Sequence, residues 1–392
     1  MENRKQNTKR PPKRYWVKKL HKYISVMFIA IVFVITIVNV IKKDSDMSER
    51  ENRMLAKSPA ISFDEITSGR FMENYETYKS DQFIARDFWI AFKTQLDSLC
   101  GKNYSNGVYK GKKGYLIEDA VKPDEENLKK NIDAINKLAD SQTAKVYTMI
   151  VPNAVAILPD LLPPFAPVRS QEQDLENFRL SLSENVTDID VTETLKNHKN
   201  EQLYYHTDHH WTSRAAYYSF LTAAEFLGIE NNGMNYATYK VCSDFVGTMA
   251  STSGYTGKKD TIEVFIPTDS SVQYIVNYVE EQKKTASLYQ SEKLESYDKY
   301  AFFFGGNSPI IRISTTASTG KNLLVLKDSY ANCFLPFLIP YYDEIVVIDP
   351  RYYYDDIYSE ITSQKITEIL FLYNANTFLE DNSISGIFTQ YE

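Results

Sequence analysis

The sequence predicts an α/β protein: a parallel β-sheet with helices on both faces, preceded by one N-terminal transmembrane helix. Three observations predict it. Towards the C-terminus, strand-like runs at Leu323–Leu326, Glu344–Ile348 and Ile369–Leu372 alternate with helical segments at Tyr330–Tyr341 and Asp355–Ser363. Strands spaced in this way are joined by right-handed crossovers, which give a parallel sheet covered on both faces. Tyr23–Ile41 is a run of nineteen residues without a charge, long enough to cross a bilayer as a helix. The chain of 392 residues is 43% hydrophobic and 14% aromatic, which excludes a disordered polymer.

Residues 1–22 form a basic tail in which Arg4, Lys5, Lys9, Arg10, Lys13, Arg14, Lys18, Lys19 and Lys22 stand against the single acid Glu2. The positive-inside rule places this tail in the cytoplasm, makes residues 23–41 a single-pass signal anchor in the cell membrane, and puts the remainder outside. A cleaved signal peptide has a shorter apolar core and a small-residue cleavage site, and Val38-Asn39-Val40-Ile41-Lys42-Lys43 offers none. Taking the tail's net +8 from the overall −7 leaves −15 on the rest. An acidic exterior disfavours nucleic acid and suits a neutral or amino-sugar partner. Cys100, Cys242 and Cys333 make no disulfide framework, so the core holds itself together.

Residues 42–100 read as a polar helical stalk. Tyr75, Tyr78, Phe83, Phe88 and Trp89 supply its packing surface, and Asp81 and Arg86 an ion pair. The globular domain, residues 101–392, opens with a strand–glycine turn–strand hairpin at Gly107–Ile117. A helix over Glu125–Ala139 and a buried strand at Val146–Val151 follow. Leu203–Tyr205 reads as a short strand. Thr212 or Ser213 caps a helix over Arg214–Leu227 that Gly228 stops. Residues 229–300, rich in tyrosine and polar, read as an insertion with strands near Thr261–Pro267 and Val272–Tyr278. Pro336 and Pro340 interrupt the helix at Tyr330–Tyr341.

The chain has five histidines, and His206, His209 and His210 fall in one short segment beside Asp208. In an open parallel sheet, ligands gather beyond the carboxyl ends of the strands. The residues that follow the predicted strands are Asn153, Asp208 with His210, Ser329, Arg351, and Asn374 with Asn376. Ser329 sits where a strand turns into a helix, so an oxyanion formed there meets a backbone amide and the positive helix end. His210 is placed to take the serine proton, and Asp208 to orient the imidazole. His209 is the alternative base. A serine after a strand is also the common helix N-cap, and Trp211 packs the loop down. A metal site from His206, Asp208, His209 and His210 is disfavoured, because adjacent histidines seldom face one centre and no later histidine completes a ligand set. No metal and no cofactor is expected.

The Asp-His-His-Trp string at 208–211, Val-Leu-Lys-Asp-Ser-Tyr-Ala at 325–331 and Gly-Val-Tyr-Lys-Gly-Lys-Lys-Gly-Tyr-Leu at 107–116 resemble the DHHW family of Gram-positive bacteria. That family is similar to the alginate O-acetyltransferases, which carry Asp-x-His-Trp and a later serine on an SGNH-hydrolase-like fold. The resemblance covers roughly residues 50–380. It implies an SGNH-hydrolase-like domain with a permuted motif order, the Asp–His pair preceding the serine. It also implies Asp208, His210 and Ser329 as the catalytic set. Arg351 and Asn374 or Asn376 then follow the strands that hold oxyanion and substrate loops, with Gly305-Gly306-Asn307 as a second source of oxyanion donors. Tyr-Asn-Ala-Asn at 373–376 departs from the Gly-x-Asn-Asp pattern, and Lys327 stands where SGNH hydrolases have glycine. The activity implied is transfer of acetyl to hydroxyls of an extracellular polysaccharide, with a membrane O-acyltransferase partner supplying the acetyl group. An esterase using the same residues and a non-catalytic glycan-binding scaffold are the competing readings.

Overall fold

The structure, a computed structural model, describes residues 13–48, 51, 53–230, 234–255, 257–268 and 271–389. The first twelve residues of the basic tail lie outside these. The chain divides into a smaller unit reaching to Trp89 and a larger one from Ile90 onward, with residue 51 grouped with the larger.

In the smaller unit, Lys13–Ile41 is one helix of 29 residues. Its Trp16–Ile41 portion, 26 residues, is long and apolar enough to cross a membrane and would extend about 39 Å at 1.5 Å per residue. Helices Phe63–Thr67 and Arg70–Asp81 follow. The buried Asp81 carboxylate is held chiefly by Arg53, whose two guanidinium nitrogens donate at 2.9 and 2.7 Å. Arg86, the expected partner, stands at 3.7 Å. The bidentate geometry of Arg53 explains the order of strength.

The larger unit is built on one eight-stranded sheet. Its strands are β1 (Lys145–Val151), β2 (Val186–Asp188), β3 (Tyr274–Tyr278), β4 (Lys283–Thr285), β5 (Ile310–Thr315), β6 (Asn322–Lys327), β7 (Glu344–Ile348) and β8 (Glu368–Asn374). They lie in the order β4-β3-β5-β7-β6-β8-β1-β2. The five from β7 to β2 are parallel. β5 joins β7 antiparallel, and β3 and β4 continue antiparallel. β6 lies between β7 and β8, with Leu324 opposite Val346 on one side and Ile369 on the other.

Alternation along β6 divides the core. Leu323 and Val325 face a cluster with Trp211, Ala216 and Phe220 from helix Ser213–Phe226 and its approach. Leu324 and Leu326 face Leu128, Ile132 and Ile135 of helix Glu125–Ser141, together with Ile357 and Phe378. Side chains that point to opposite faces at successive positions thus bury both surfaces, as a parallel sheet requires.

Three elements depart from the expectation. Leu203–Tyr205 is not a strand of the sheet; Tyr204 instead pairs with Trp211 across its own loop. The segment after Lys327 is a 3-10 turn, Ser329–Cys333, then a single helical turn at Leu335–Leu338 and another 3-10 turn at Ile339–Tyr341. Pro336 and Pro340 cannot donate the bonds that a continuous helix needs. Within 229–300, Tyr236–Phe245 and Asp260–Pro267 form their own antiparallel ribbon, whereas β3 and β4 belong to the main sheet.

Candidate active site

Ser329 follows the last residues of β6, so the parallel sheet delivers it to the carboxyl edge. Asp328 caps the 3-10 turn by accepting from the Tyr330 amide at 2.8 Å, and also accepts from the Asn374 backbone amide at 3.0 Å. The turn is therefore tied to the end of β8. Ser329 itself is half-buried.

The histidine loop is a closed structure. The Thr212 amide donates to the Leu203 carbonyl at 2.8 Å and the Tyr205 amide to the His210 carbonyl at 3.2 Å. Its turn wraps the buried Asp260 carboxylate. Asp260 Oδ1 faces the His206 amide and Nδ1, both at 2.8 Å, and Oδ2 accepts from the Thr207 amide at 2.8 Å and hydroxyl at 2.7 Å. Trp211 is fully buried and its indole N–H donates to the Tyr330 carbonyl at 2.9 Å, fastening the loop to the serine turn.

These constraints bring Asp208, His210 and Ser329 into one hydrogen-bonded chain. His210 Nε2 lies 2.8 Å from Ser329 Oγ, and Nδ1 makes a short contact with Asp208 Oδ1. A carboxylate only accepts, so Nδ1 carries the proton and Nε2 of the neutral ring is the acceptor for the serine hydroxyl. Asp208 Oδ1 also accepts from the His210 amide at 3.0 Å, and Oδ2 from the Thr248 amide at 2.9 Å and hydroxyl at 3.3 Å. The Tyr300 ring stacks on the imidazole of His210 at 3.6 Å, and its hydroxyl donates to the Ser329 carbonyl at 3.3 Å.

Charge states follow from burial. Burial opposes ionisation of Asp208, but the imidazoles of His210 and His209 and the bonds from His210 and the Thr248 amide outweigh it and hold the carboxyl well below its usual range. Burial, with His209 adding to it, pushes His210 down to about 4 against the pull of Asp208. At neutral pH the ring is uncharged and able to accept a proton. A neutral base against a serine hydroxyl, with an ionised carboxylate behind it, is the arrangement that nucleophilic acyl chemistry requires.

The remaining sequence candidates sit elsewhere in the network, and none makes a hydrogen bond to Ser329 or His210 among the described residues. Asn153 is buried and donates to Asn374 Oδ1 at 3.2 Å while accepting from the Asn376 amide at 2.9 Å. Asn374 donates to Asp328 and Thr377, and Asn376 to Glu118 at 3.0 Å and the Asp119 carbonyl at 2.9 Å. These three amides brace the floor beneath the serine turn. Arg351 is bidentate to the buried Asp349 at 2.8 and 2.7 Å. Asn307 is exposed, and the adjacent Gly305 amide already donates to the Ala301 carbonyl at 2.9 Å. Ser329 heads a 3-10 turn of five residues and not an α-helix, so its own amide, more than a helix dipole, is what the turn offers an oxyanion.

Asp208, His209 and His210 bring ligating atoms within 4.8 Å of one another. Both ring nitrogens of His210 are already engaged, and both Asp208 oxygens accept protein donors. A metal there would break the hydrogen-bonded chain, so the donor set fits an ion poorly.

Gly247, Thr248, Asp260 and Tyr300 have no counterpart among the sequence candidates. A Cβ at Gly247 would lie 2.2 Å from Asp208 Cβ, so only glycine fits against the aspartate. All four lie in the tyrosine-rich segment 229–300, where no local pattern marks them.

A largely parallel α/β sheet with a serine–histidine–aspartate chain at its carboxyl edge defines the class of protein. Within it, the chain belongs to the DHHW family: the family model described as DHHW protein matches residues 129–348. The crystal structure of a DHHW family protein from Eubacterium siraeum is 26% identical, with a TM-score of 0.61, over 72% of this chain and 95% of that one. Bacillus cereus PatB1, solved with a sulfonyl adduct, has the same fold at 19% identity and a TM-score of 0.57, over 70% of this chain and 96% of its own. The O-acetyltransferase domain of Pseudomonas putida AlgJ superposes more loosely, with a TM-score of 0.45 at 14% identity over 73% of this chain and 96% of its own. Among proteins of curated function, none is significantly similar in sequence.

Proposed function

We propose that this protein is a membrane-anchored O-acetyltransferase that acetylates hydroxyls of an extracytoplasmic polysaccharide. The observation that carries the reading is the single imidazole of His210 standing between Ser329 Oγ and the Asp208 carboxylate. Ser329 Oγ attacks the acetyl carbonyl as His210 Nε2 takes its proton. Collapse of the tetrahedral intermediate breaks the bond to the donor, which leaves with the proton from His210. A sugar hydroxyl then gives its proton to Nε2 and attacks the acetyl-serine, and Ser329 leaves and regains the proton. Asp208 stabilises the imidazolium formed in each half, and the Ser329 amide faces the developing oxyanion.

Support for transfer over hydrolysis comes from the anchor helix and from the resemblance to alginate O-acetyltransferases. Acetyl-CoA is cytoplasmic, so a domain outside the membrane needs its acetyl passed across, and an anchor keeps it beside a membrane O-acyltransferase that does so. In this reading the basic tail is cytoplasmic and the catalytic domain lies outside. The sulfonyl adduct in PatB1 suggests the corresponding probe for Ser329.

The test supplies the detergent-solubilised chain with p-nitrophenyl acetate and a series of oligosaccharides. Mass spectrometry then scores acetylated sugar against free acetate. Acetyl-sugar that depends on Ser329 supports the transferase. Release of acetate alone at every acceptor concentration identifies an esterase, and no turnover favours the scaffold.

A further inference from the structure

Beside the Ser329–His210–Asp208 chain, hairpin residues 104–121 and Thr248–Thr252 enclose a groove of about 350 Å³. Its wall includes His209 and Thr248, the two residues that flank Asp208. His209 leads directly to the reaction centre, because its ring packs on that of His210 at 4.0 Å, and His210 Nε2 is 2.8 Å from Ser329 Oγ. His209 Nδ1 meets the Thr248 hydroxyl at 3.0 Å, which leaves Nε2 as the ring's remaining polar atom. A groove of this volume, one ring away from the nucleophile, is suited to a small polar ligand.

The chemistry of its lining is specific. Glu118 and Asp119 stand at one wall, both half-buried. Glu118 accepts from the Asn376 amide at 3.0 Å, while Asp119 accepts from the Tyr109 hydroxyl at 3.1 Å and the Ala120 amide at 2.9 Å. Neither has a lysine or arginine partner among the described residues, so the groove carries two uncompensated negative charges. At its rim the Tyr104 ring is half-exposed and packs on Tyr109 at 4.7 Å, offering a flat face to a pyranose and a π surface to a cation. An acidic sugar or a phosphate would meet two like charges here; an ammonium group would meet two opposite ones.

Resting on the acetyltransferase reading, we propose that this groove is the acceptor subsite and that it selects an amino sugar carrying a free ammonium group over its N-acetylated or acidic counterparts. The acceptor hydroxyl is then presented past His209 to the acetyl group on Ser329.

Calorimetric titration of the full-length chain, in a detergent with a neutral headgroup at low salt, tests this with the tetramers of glucosamine and of N-acetylglucosamine. The glucosamine tetramer is expected to bind about tenfold more tightly. The Glu118→Gln/Asp119→Asn variant, which keeps an accepting oxygen for the Asn376 and Ala120 amides and gives the Tyr109 hydroxyl a neutral N–H donor in place of the second Asp119 oxygen, is expected to bind the two tetramers equally. Glu126→Gln, an exposed helix acid, is expected to retain the preference and so separates the groove from the general acidity of the domain. Equal binding by the unaltered protein overturns the proposal, as does a preference that persists in the groove variant. The transferase reading is judged separately, by acetyl on Ser329. Acetylation without an amino-sugar preference removes the groove and keeps the enzyme, whereas preference without acetylation keeps the groove as a binding site and removes the enzyme.

Discussion

Replacing Gly247 with alanine perturbs the candidate site without replacing any member of the Ser329–His210–Asp208 chain. The added Cβ would lie 2.2 Å from Asp208 Cβ, 2.3 Å from Oδ2 and 2.6 Å from Cγ. Ordinary van der Waals contact needs well over an ångström more, so the carboxylate must move by about that much. Asp208 is also held by the His210 and Thr248 amides, so its displacement stretches those bonds and turns the imidazole away from Ser329. A misplacement of about 1 Å costs on the order of 100-fold in rate, and overpacking a filled site costs about 1–3 kcal/mol of stability. The assay is the burst of p-nitrophenol released from p-nitrophenyl acetate, with thermal unfolding recorded on the same sample. Gly247→Ala is expected to remain folded, to lose a few degrees in Tm and to acylate about 100-fold more slowly. A folded variant that acylates within threefold of the unaltered protein would refute the reasoning, since it would show that the position of Asp208 does not govern the serine.

Asp208→Asn keeps the shape but removes the charge that fixes the imidazole tautomer, and is expected to lower the acylation rate by about 10³- to 10⁴-fold in the same burst assay. Because burial pushes His210 down to about 4, the base form persists through the acidic range, and the acylation rate should hold from neutral pH until it falls through about pH 4. The same depression links to folding: the unfolded chain takes up a proton near pH 6.5 that the folded ring refuses. His210 therefore favours the fold above that pH, and the contribution is lost as pH falls from about 6.5 to about 4; His210→Gln should flatten that part of the stability profile measured by denaturant titration. Arg351→Ala strips the bidentate partner from the buried Asp349, whose other cation, Lys327, stands 3.9 Å away. A loss of about 1–3 kcal/mol in denaturant stability is expected, discounted because Arg351 is about one-third exposed. Asp260→Ala releases the His206 and Thr207 amides together and is expected to lower both stability and acylation, read by thermal unfolding and by the burst.

Legibility in the sequence followed the range of the interactions. The apolar runs of β6, β7 and β8 are local and uninterrupted, so their existence and parallel direction are legible directly, whereas their spatial order, β7-β6-β8, is not. Ser329 after β6 and the Asp208–His210 pair were visible because each lies in a short segment of unusual composition. Their approach to one another depends on Trp211 reaching Tyr330 and on Asp260 gathering the loop, contacts between segments far apart in the chain. No local pattern announces those. β5 gives no such signal because Arg312 and Ser314 alternate with its isoleucines; it lies directly beside the parallel core, and Arg312 finds Glu360 at 2.6 Å. Asn153, Asn374 and Asn376 stand out by their place after strands, yet position alone does not say whether an amide faces a ligand or another amide. In the smaller unit, Arg86 is nearer to Asp81 in sequence, but Arg53 has the geometry for two bonds.

In the proposed mechanism, His210 makes Ser329 a nucleophile. Intact-mass analysis of the full-length chain after brief exposure to p-nitrophenyl acetate, followed by peptide mapping, tests it most directly. One added acetyl group per chain is expected, carried on the peptide containing Ser329, absent from Ser329→Ala and strongly reduced in His210→Gln. An unmodified Ser329 peptide, or the same acetyl gain in Ser329→Ala, would contradict it.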